Sequence, residues 1–492
     1  MSERPKQLEA LLGTHGLKTG AQWAKERAEN PRPAVIARSE SSSEEAISPV
    51  VHVGVQRHPE GAAREIASSL VAPRNDAHAE PAPQSIHRYL HRLGALANAP
   101  HILQRQEDEE RVEAGEYDIE QVFTGTLTGD EDSSFFLVRN RFPLGHRQGT
   151  VELGEVMQTS ARHIAFSACD TELQDFDPCR ALFVDTETIG LAGGSGTVAF
   201  LIGVGYFEGE DFVLDQCFMR DYDDEEAMLT FLGERFQQAD TVVSYNGKSF
   251  DVPLLRTRFI QHRLPFRLQG LGHFDLVHAA RRIWKRRLSD CSLGNIEREI
   301  LGIERHGDIP SYLIPQMWFD YLRSRDARPL KPVFYHHQMD ILSLVALTAR
   351  LSQCLEAPDG EGFHHGEDRL SVVRLHFRQK QFEHVVAQAQ RFLTEPQHNG
   401  LRTECLQLLA HACKRLEQFT EMQRAWEMLL EECPDHLEAC VELAMHHEHR
   451  TRDLSRAHEL CLLAIHQLCD PGSTDYEPLQ HRLTRLERKL MR

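Results

Sequence analysis

Strand and helix patterns follow one another through the middle of the chain. The runs ALFVDTE, TVAFLIGVGYF and DFVLDQCFMR are apolar and typical of buried strands, and the turn EGE separates the last two. A helical pattern, EEAMLTFLGERFQQ, and a short strand, TVVSYN, come next. The rest is largely helical and ends with a helix around QMDILSLVALTARL. This order predicts an α/β layer architecture over residues 178–352.

A helical repeat is predicted for residues 368–492. Ala410 and Ala444 are 34 residues apart in similar apolar frames, and Pro434 closes the second unit. This period and the helix–turn–helix pattern favour tetratricopeptide-like repeats, with an unrelated helical bundle as the alternative.

The N-terminal third has weaker patterns. Residues 1–85 are rich in Ser, Glu, Pro and Ala without a sustained period, so we expect a disordered region. Residues 86–175 form a small mixed α/β segment of unclear fold. It has a short helix in SIHRYLHRLGALANA and a strand in SSFFLVRNRF.

Composition excludes some classes of protein. No apolar run is long enough to span a bilayer, and the N-terminus lacks the pattern of a signal peptide. Eleven cysteines occur without any CxxC pair, which favours reduced thiols in a cytoplasmic protein over disulfides or a zinc site.

Charge is distributed unevenly. The net charge of −19 disfavours binding to phosphates, yet residues 252–289 contain nine Lys and Arg and one acid, Asp275. This stretch is either a solvated helix face or a surface for a polyanion.

Two carboxylates follow the first strand of the α/β region. Asp185 and Glu187 are two residues apart, so both project from the same face of the strand. Adjacent buried carboxylates repel each other unless a cation neutralises them, and their hard oxygens suit Mg²⁺ or Mn²⁺. The same Asp-x-Glu pattern also arises by chance on exposed strands.

A third carboxylate stands where a later strand meets a helix. In SYNGKSFDVPLL, the turn at Asn246 leads to Asp251 at the start of a helix. Capping of that helix is a sufficient explanation for an aspartate here. Asn246 and Phe250, however, add an amide and an aromatic ring next to the acid.

The last helix adds a histidine and a fourth carboxylate. In FYHHQMDILSL, His336 lies four residues before Asp340, one turn apart on the same helix face. Such a pair is most often a salt bridge or a buried polar contact. Together, the three elements indicate one site.

In this order, the three elements resemble the DEDD exonuclease superfamily, which has an RNase H-like fold. More closely, the chain is similar to the YprB-type family of predicted exonucleases, which can carry a tetratricopeptide tail. The resemblance covers residues 180–350 and rests on FVDTETIGLAGGSGTVAF, YNGKSFDVPLL, HFDLVHAARRIW, CSLGNIEREILGIERHGDIPSY and HHQMDILSLVAL.

The resemblance implies a role for each acid. Asp185 would bridge two Mg²⁺ or Mn²⁺ ions, while Asp251 would support one of them. Glu187 and Asp340 would hold the other, next to the attacking water. His336 would be the general base, although the histidine class of the superfamily usually places its histidine five residues before the last Asp. Tyr335 has that spacing here, and His337 is a further competitor.

The resemblance and the charge pattern also imply contacts with nucleic acid. The expected contact residues are Thr188, Leu191, Asn246, Phe250, Arg256, Arg281 and Arg282. Core packing is the alternative for Leu191 and Phe250. Structural roles are expected for Asp275 and Asp308. The glycine-rich loop at 190–196 precedes a strand, so we expect a hairpin turn and not a phosphate-binding loop.

The expected activity is 3′→5′ hydrolysis of single-stranded DNA or RNA by a two-metal mechanism. The repeat tail would dock a protein partner or position the substrate, and no membrane contact is expected. The alternatives are an inactive nucleic-acid-binding scaffold and an RNase H-like endonuclease.

Overall fold

The structure is a computed structural model. It describes residues 116–131, 133–190, 196–266, 268, 270–358, 362–395, 399–465 and 476–491. Residues 1–85, for which we expected disorder, lie outside the described residues. So do the segment SIHRYLHRLGALANA, for which we expected a helix, and Leu191.

A seven-stranded mixed sheet forms the centre of the fold, with the strand order β1-β2-β7-β6-β5-β8-β9. The pairs β5–β8 and β8–β9 are parallel, and the other neighbours are antiparallel. β3 and β4 form a separate two-stranded sheet. The strands are β1 (Thr126–Gly129), β2 (Ser134–Pro143), β3 (Arg147–Gln148), β4 (Val151–Glu152), β5 (Ala181–Thr188), β6 (Ala199–Glu208), β7 (Asp211–Phe218), β8 (Thr241–Ser244) and β9 (Gly272–Asp275).

Helices cover both faces of this sheet. They are α1 (Ile119–Val122), α2 (Ala161–Ala168), α3 (Glu225–Phe236), α4 (Asp251–Gln261), α5 (Leu276–Ile283), α6 (Leu293–Ile296), α7 (Ile314–Ser324) and α8 (Lys331–Glu356). Alternate residues of β5 enter different cores. Phe183 packs into the core that contains Ile341 of α8. Val184 belongs to the core that contains Leu229 of α3 and Trp318 of α7. β5 is therefore buried on both sides, which explains its continuous apolar sequence.

The expected order of elements in the α/β region is confirmed. The three strands, the helix and the fourth strand correspond to β5, β6, β7, α3 and β8, and β5 and β6 pair as the expected hairpin requires. α5 ends at Ile283, earlier than its pattern suggests, and the segment after α6 continues as a π-helical turn over Glu297–Leu301.

The sheet extends beyond the expected α/β region. β2, which contains the predicted strand SFFLVRNRF, pairs with β7 over its length. The division that we expected between residues 86–175 and 178–352 therefore does not correspond to a break in the sheet.

The C-terminal region is helical. Its helices are α9 (Gly366–Arg378), α10 (Phe382–Leu393), α11 (Asn399–Arg415), α12 (Phe419–Glu432), α13 (Leu437–His446), α14 (Leu454–Leu463) and α15 (Tyr476–Leu490). Each helix packs against the next one in the chain. Ala410 and Ala444 are both fully buried, on α11 and α13. The helical character is confirmed, while the tetratricopeptide assignment stays a prediction.

None of the helices in the described ranges is both long and apolar enough to cross a membrane. The ten cysteines in these ranges are all free thiols.

A buried glutamate fixes the last helix. Glu448 follows α13 and accepts hydrogen bonds from three cations of α15: Arg482 at 2.7 Å, Arg485 at 2.7 Å and Lys489 at 2.8 Å. Burial raises the pKa of Glu448, but these hydrogen bonds outweigh it and lower the pKa to about 2. Its charged form therefore stabilises the folded state above the unfolded-state pKa of about 4.3, and this contribution is lost as the pH falls toward 2.

Glu448→Gln should lower the free energy of unfolding by about 2 kcal/mol at neutral pH, because three cations lose their buried counter-charge. The difference from wild type should shrink as the pH falls below about 4.3. Urea unfolding at several pH values measures both effects. Glu459→Gln, at an exposed ion pair with Arg456, is the control and should change little. Equal stabilities of wild type and Glu448→Gln at neutral pH would contradict this account.

Candidate functional site

The centre of the sheet presents two carboxylates. Asp185 and Glu187 lie on β5 between β6 and β8, and each is only 6% exposed. They share a strand face with Phe183, on the side covered by α8. The expectation that both carboxylates project to one side at the end of a buried run is thus seen in the structure.

Asp251 reaches the same strand from the start of α4. It is 2% exposed, and its carboxylate accepts a hydrogen bond of 2.5 Å from the Thr186 hydroxyl. Thr186 stands between the two acids of β5. Helix capping alone explains the position of Asp251 in its helix but not this contact with the strand. Asp251 is therefore hydrogen-bonded to the strand residue that lies between Asp185 and Glu187 in sequence.

The turn before Asp251 is held by Asp275. The Asp275 carboxylate accepts hydrogen bonds from the backbone N–H groups of Asn246 at 2.7 Å and Lys248 at 3.0 Å. Asn246 has a φ of 65°, in the left-handed region that asparagine tolerates better than most residues. Asp275 thus has the structural role that we expected, and that role is to position the segment leading into Asp251.

α8 supplies the remaining side chains. The His336 Nε2 atom lies 3.5 Å from Asp340 Oδ2 and 3.9 Å from Glu187 Oε1. Among the described residues, the ligand atoms of Glu187, His336 and Asp340 all lie within 4.8 Å of one another. Asp185 and Asp251 do not belong to this group; Asp185 lies two residues before Glu187 on β5, and Asp251 is hydrogen-bonded to Thr186. Two elements more than 140 residues apart in sequence therefore meet at one site.

Asp308 orients His336. Its carboxylate lies 2.8 Å from His336 Nδ1, so Nδ1–H donates to Asp308 and Nε2 faces Glu187 and Asp340. Burial lowers the pKa of His336, but the charges of Asp340, Asp308 and Glu187 outweigh it and raise the pKa to about 10. Cations held by these carboxylates would lower that pKa toward its ordinary range.

The two neighbours of His336 are not part of the group formed by Glu187, His336 and Asp340. Tyr335 is 38% exposed. His337 is fully buried, with its Nε2 atom 3.1 Å from the Asp185 carbonyl oxygen and its Nδ1 atom 3.2 Å from the Gln216 amide nitrogen. His337 therefore contacts β5 at Asp185, where its Nε2 atom also lies 3.9 Å from the carboxylate atom Oδ2. His336 is the one of the three that faces Glu187 and Asp340.

A glycine allows α8 to approach the sheet. Gly203 of β6 pairs directly with Asp185. A Cβ atom at this position would come 2.1 Å from Ile341 Cδ1 and 2.5 Å from His337 Cε1, which is too close for either contact. The absence of a side chain here sets how near the helix with His336 lies to the strand with Asp185.

The site also contains an arginine, with only 12% of its side chain exposed, that is not among the residues expected from the sequence. Arg305 donates to Glu297, Asp308 and Asp340. Burial lowers the pKa of Arg305, but the charges of Asp340 and Glu297 outweigh it and raise the pKa. The sequence feature that could have identified Arg305 is its position in GIERHGDIPSY, where charged residues interrupt an apolar pattern.

The expected nucleic-acid contacts near Asp251 and β5 are partly accessible. Phe250 is 42% exposed, so the alternative of core packing does not apply to it. Thr188 is half-buried, and its hydroxyl donates to the Gly190 carbonyl at 3.2 Å.

The basic stretch 252–289 does not form one surface. Arg258 pairs with the buried Glu225, and Arg287 pairs with Asp368 of α9. Arg256 is exposed on α4, while Arg281 and Arg282 lie on α5. The structure thus separates Arg256 from the other two arginines that we expected to contact nucleic acid.

Comparisons with known proteins agree with this geometry. Residues 182–352 match the model of the RNase H superfamily. The uncharacterized protein YprB of Bacillus subtilis (strain 168) is 30% identical over 369 residues, which cover 73% of this chain and 87% of that protein. The chain belongs to the YprB family.

A likeness to a solved structure is more distant. The family B DNA polymerase of the archaeon Pyrobaculum calidifontis aligns with 18% identity and a TM-score of 0.29. The alignment covers 42% of this chain and 29% of the polymerase, so the chain spans less than a third of that protein's length.

The donor groups of the site fit a divalent cation. Proteins with the RNase H-like fold typically use such ions, and the oxygens of Glu187 and Asp340 are the hard ligands that Mg²⁺ and Mn²⁺ prefer. Arg305 contacts Asp340 through Oδ1, while Oδ2 faces His336. One oxygen of Asp340 is thus directed into the site.

Arg305→Gln should destabilise the protein by roughly 3–5 kcal/mol, because Glu297 and Asp340 lose their buried counter-charge. Urea unfolding measures this loss. Arg298→Gln is the matched control, since Arg298 lies nearby with an exposed side chain, and its substitution should cost less than about 1 kcal/mol. Similar stabilities of the two variants would show that Arg305 does not compensate the carboxylates.

Proposed function

We propose that this chain is a divalent-metal-dependent nuclease that releases nucleotides from the 3′ end of single-stranded DNA or RNA, as a DEDD-type 3′→5′ exonuclease. The observation that carries the proposal is the convergence of Glu187, His336 and Asp340 within 4.8 Å. Asp185 is on the same strand as Glu187, and Asp251 is hydrogen-bonded to Thr186 of that strand. The superfamily match supports the nuclease chemistry, while the direction and the substrate belong to the proposal.

Four carboxylates would hold two Mg²⁺ or Mn²⁺ ions: Asp185, Glu187, Asp251 and Asp340. When bound, such a pair supplies charge stabilisation for the attacking and leaving oxygens of a phosphodiester. The four acids carry about four negative charges, which two dications balance. This donor set has the composition and the burial that such a cluster needs.

His336 is the proposed general base. Its Nδ1–H is engaged by Asp308, so Nε2 is the nitrogen that accepts the proton of the attacking water. Asp308 then acts as a positioning residue, because it fixes both the ring orientation and the tautomer. Arg305 keeps Asp340 in place and offsets part of its charge.

The end of the substrate would lie against the rim of the site. Phe250 is exposed at the start of α4 and can stack on a base. Thr188, Leu191 and Asn246 are the proposed polar and apolar contacts around the terminal nucleotide. The C-terminal helices, as a tetratricopeptide-like repeat, would dock a protein partner or position the strand.

Asp251→Asn should reduce the rate of nucleotide release on the order of 10³-fold, because the loss of a metal ligand removes several kcal/mol of transition-state stabilisation. The assay uses 5′-labelled single-stranded DNA and RNA with Mg²⁺ or Mn²⁺. A ladder that shortens from the 3′ end is the expected product pattern. Blocking the 3′ end should stop the reaction, whereas blocking the 5′ end should not.

The matched control is Asp320→Asn, an exposed aspartate paired with Arg323 on α7, which should retain full activity. A thermal melt adds a readout that is independent of turnover, because Mn²⁺ should stabilise wild type more than Asp251→Asn. Internal cuts on a 3′-blocked substrate would refute the exonuclease in favour of an endonuclease. Nucleic-acid binding without any cleavage would favour the inactive scaffold.

His336→Asn should lower kcat by roughly 10²–10⁴-fold with little change in KM, since a general base acts on the chemical step. Asp308→Asn should lower kcat by about 10–100-fold, and Asp308→Glu should restore part of the loss. Both His336→Asn and Asp308→Asn should keep the Mn²⁺-dependent rise in Tm. Equal kcat values for His336→Asn and wild type would exclude His336 as the base.

A further inference from the structure

A basic groove separates the sheet region from the C-terminal helices. One wall is the end of α5 with the turn after it, and the other is α9. Its volume of about 380 Å³ is too large for a single ion. The cations that line it are Arg281, Arg282, Lys285, Arg286, Arg374 and Arg378.

These cations are poorly compensated within the protein. Arg286 and Arg374 share one carboxylate, Glu404, at 2.7 Å from each. Arg282 and Lys285 donate to backbone carbonyls, those of Ser167 and Ser289, which fix the side chains without neutralising them.

Arg281 and Arg378, one from each wall, make no ion pair or hydrogen bond with any residue in the described ranges. Six cations therefore face one paired carboxylate in a chain whose net charge is −19. Positive charges held together in this way repel each other, so the groove favours a ligand with several negative charges.

The groove is connected to the carboxylate site through α5. Asp275 caps α5 and also holds the turn that leads into Asp251. Arg281 and Arg286 lie six and eleven residues beyond Asp275. At about 1.5 Å of helix rise per residue, Arg281 lies roughly 9 Å along α5 from that turn, and Arg286 lies beyond the end of the helix. At ~3.4 Å per stacked nucleotide, a distance of about 9 Å corresponds to about three nucleotides.

We propose that the groove between α5 and α9 binds the phosphate backbone of the nucleic-acid strand whose 3′ end lies at the carboxylate site. The proposal rests on the proposed nuclease function and adds an anchoring site about three nucleotides from the reacting end. It gives the C-terminal helices a part in substrate binding, because Arg374 and Arg378 belong to α9.

The lining favours a phosphodiester backbone over other polyanions. Arginine presents a planar fork that matches phosphate oxygens, and five of the six cations are arginines. In the described part of the groove no Phe, Tyr or Trp lines the walls, and the arginines match phosphate oxygens, so we expect binding to be independent of sequence. A concave trough also suits a strand better than a flat anionic membrane.

The test is the double substitution Arg281→Gln/Arg378→Gln, which removes one cation from each wall. Neither residue has a partner among the described residues, so the fold should be retained, and equal Tm values check this. In metal-free buffer, fluorescence anisotropy with a labelled 20-nucleotide strand should show at least a tenfold weaker Kd. The slope of log Kd against log salt concentration should decrease by about 1.4, because each of the two lost phosphate contacts contributes ~0.7 to it.

The matched control is Arg488→Gln on α15, which removes an exposed arginine outside the groove and should bind like wild type. Unchanged binding and salt dependence in the double variant would overturn the proposal. The same binding measurement with single-stranded DNA, single-stranded RNA and a duplex identifies which nucleic acid the groove binds. Competition by poly-glutamate or anionic vesicles that matches competition by nucleic acid would also overturn it.

A cleavage arm separates this proposal from the nuclease assignment. Hydrolysis of a dinucleotide should be equal in wild type and the double variant, because so short a substrate does not reach the groove. Hydrolysis of the long strand should show a raised KM at unchanged kcat. A loss of binding without any hydrolysis by wild type would contradict the nuclease and retain the groove. Hydrolysis of the long strand with equal KM values in wild type and the double variant would support the nuclease and contradict the role of the groove.

Discussion

Unbalanced negative charge at the meeting point of β5 and α8 is the constraint on which the site depends. Asp185 and Glu187 are buried on the strand, and Asp340 faces them from the helix. Two such charges about 4 Å apart repel by roughly 4 kcal/mol at an effective dielectric constant of 20. Arg305 offsets only part of this, because it also serves Glu297 and Asp308. The raised pKa of His336 is a second sign of the same excess.

The strands of the sheet were predictable where burial is complete. β5 and β6 are covered on both faces, so their apolar runs are continuous and bounded by turns. β9 has four residues, of which two are half-buried, and it gives no such signal. The pairing of β2 with β7 was beyond the sequence, because a non-local strand contact is decided by packing and not by either strand alone.

The same distinction applies to the site. The acids on β5 and α8 were predictable, because their spacing follows the periods of a strand and a helix. Arg305 was not, since its partners lie 8 and 35 residues away and its own segment is irregular. The groove was predictable in part. Arg281 belongs to a basic stretch that is visible in the sequence, but Arg378 joins it only through the packing of α9 against α5.

Gly203 has no side chain to offer the site, yet it sets the distance between the sheet and α8, which carry the acids. A methyl group added at this position would displace Ile341 and His337 and shift α8 away from the sheet. His336 and Asp340 would travel with the helix, whereas Asp185 and Glu187 would stay with the sheet. The distance between the carboxylates that would bind a cation thus depends on the absence of a side chain at one position of the neighbouring strand.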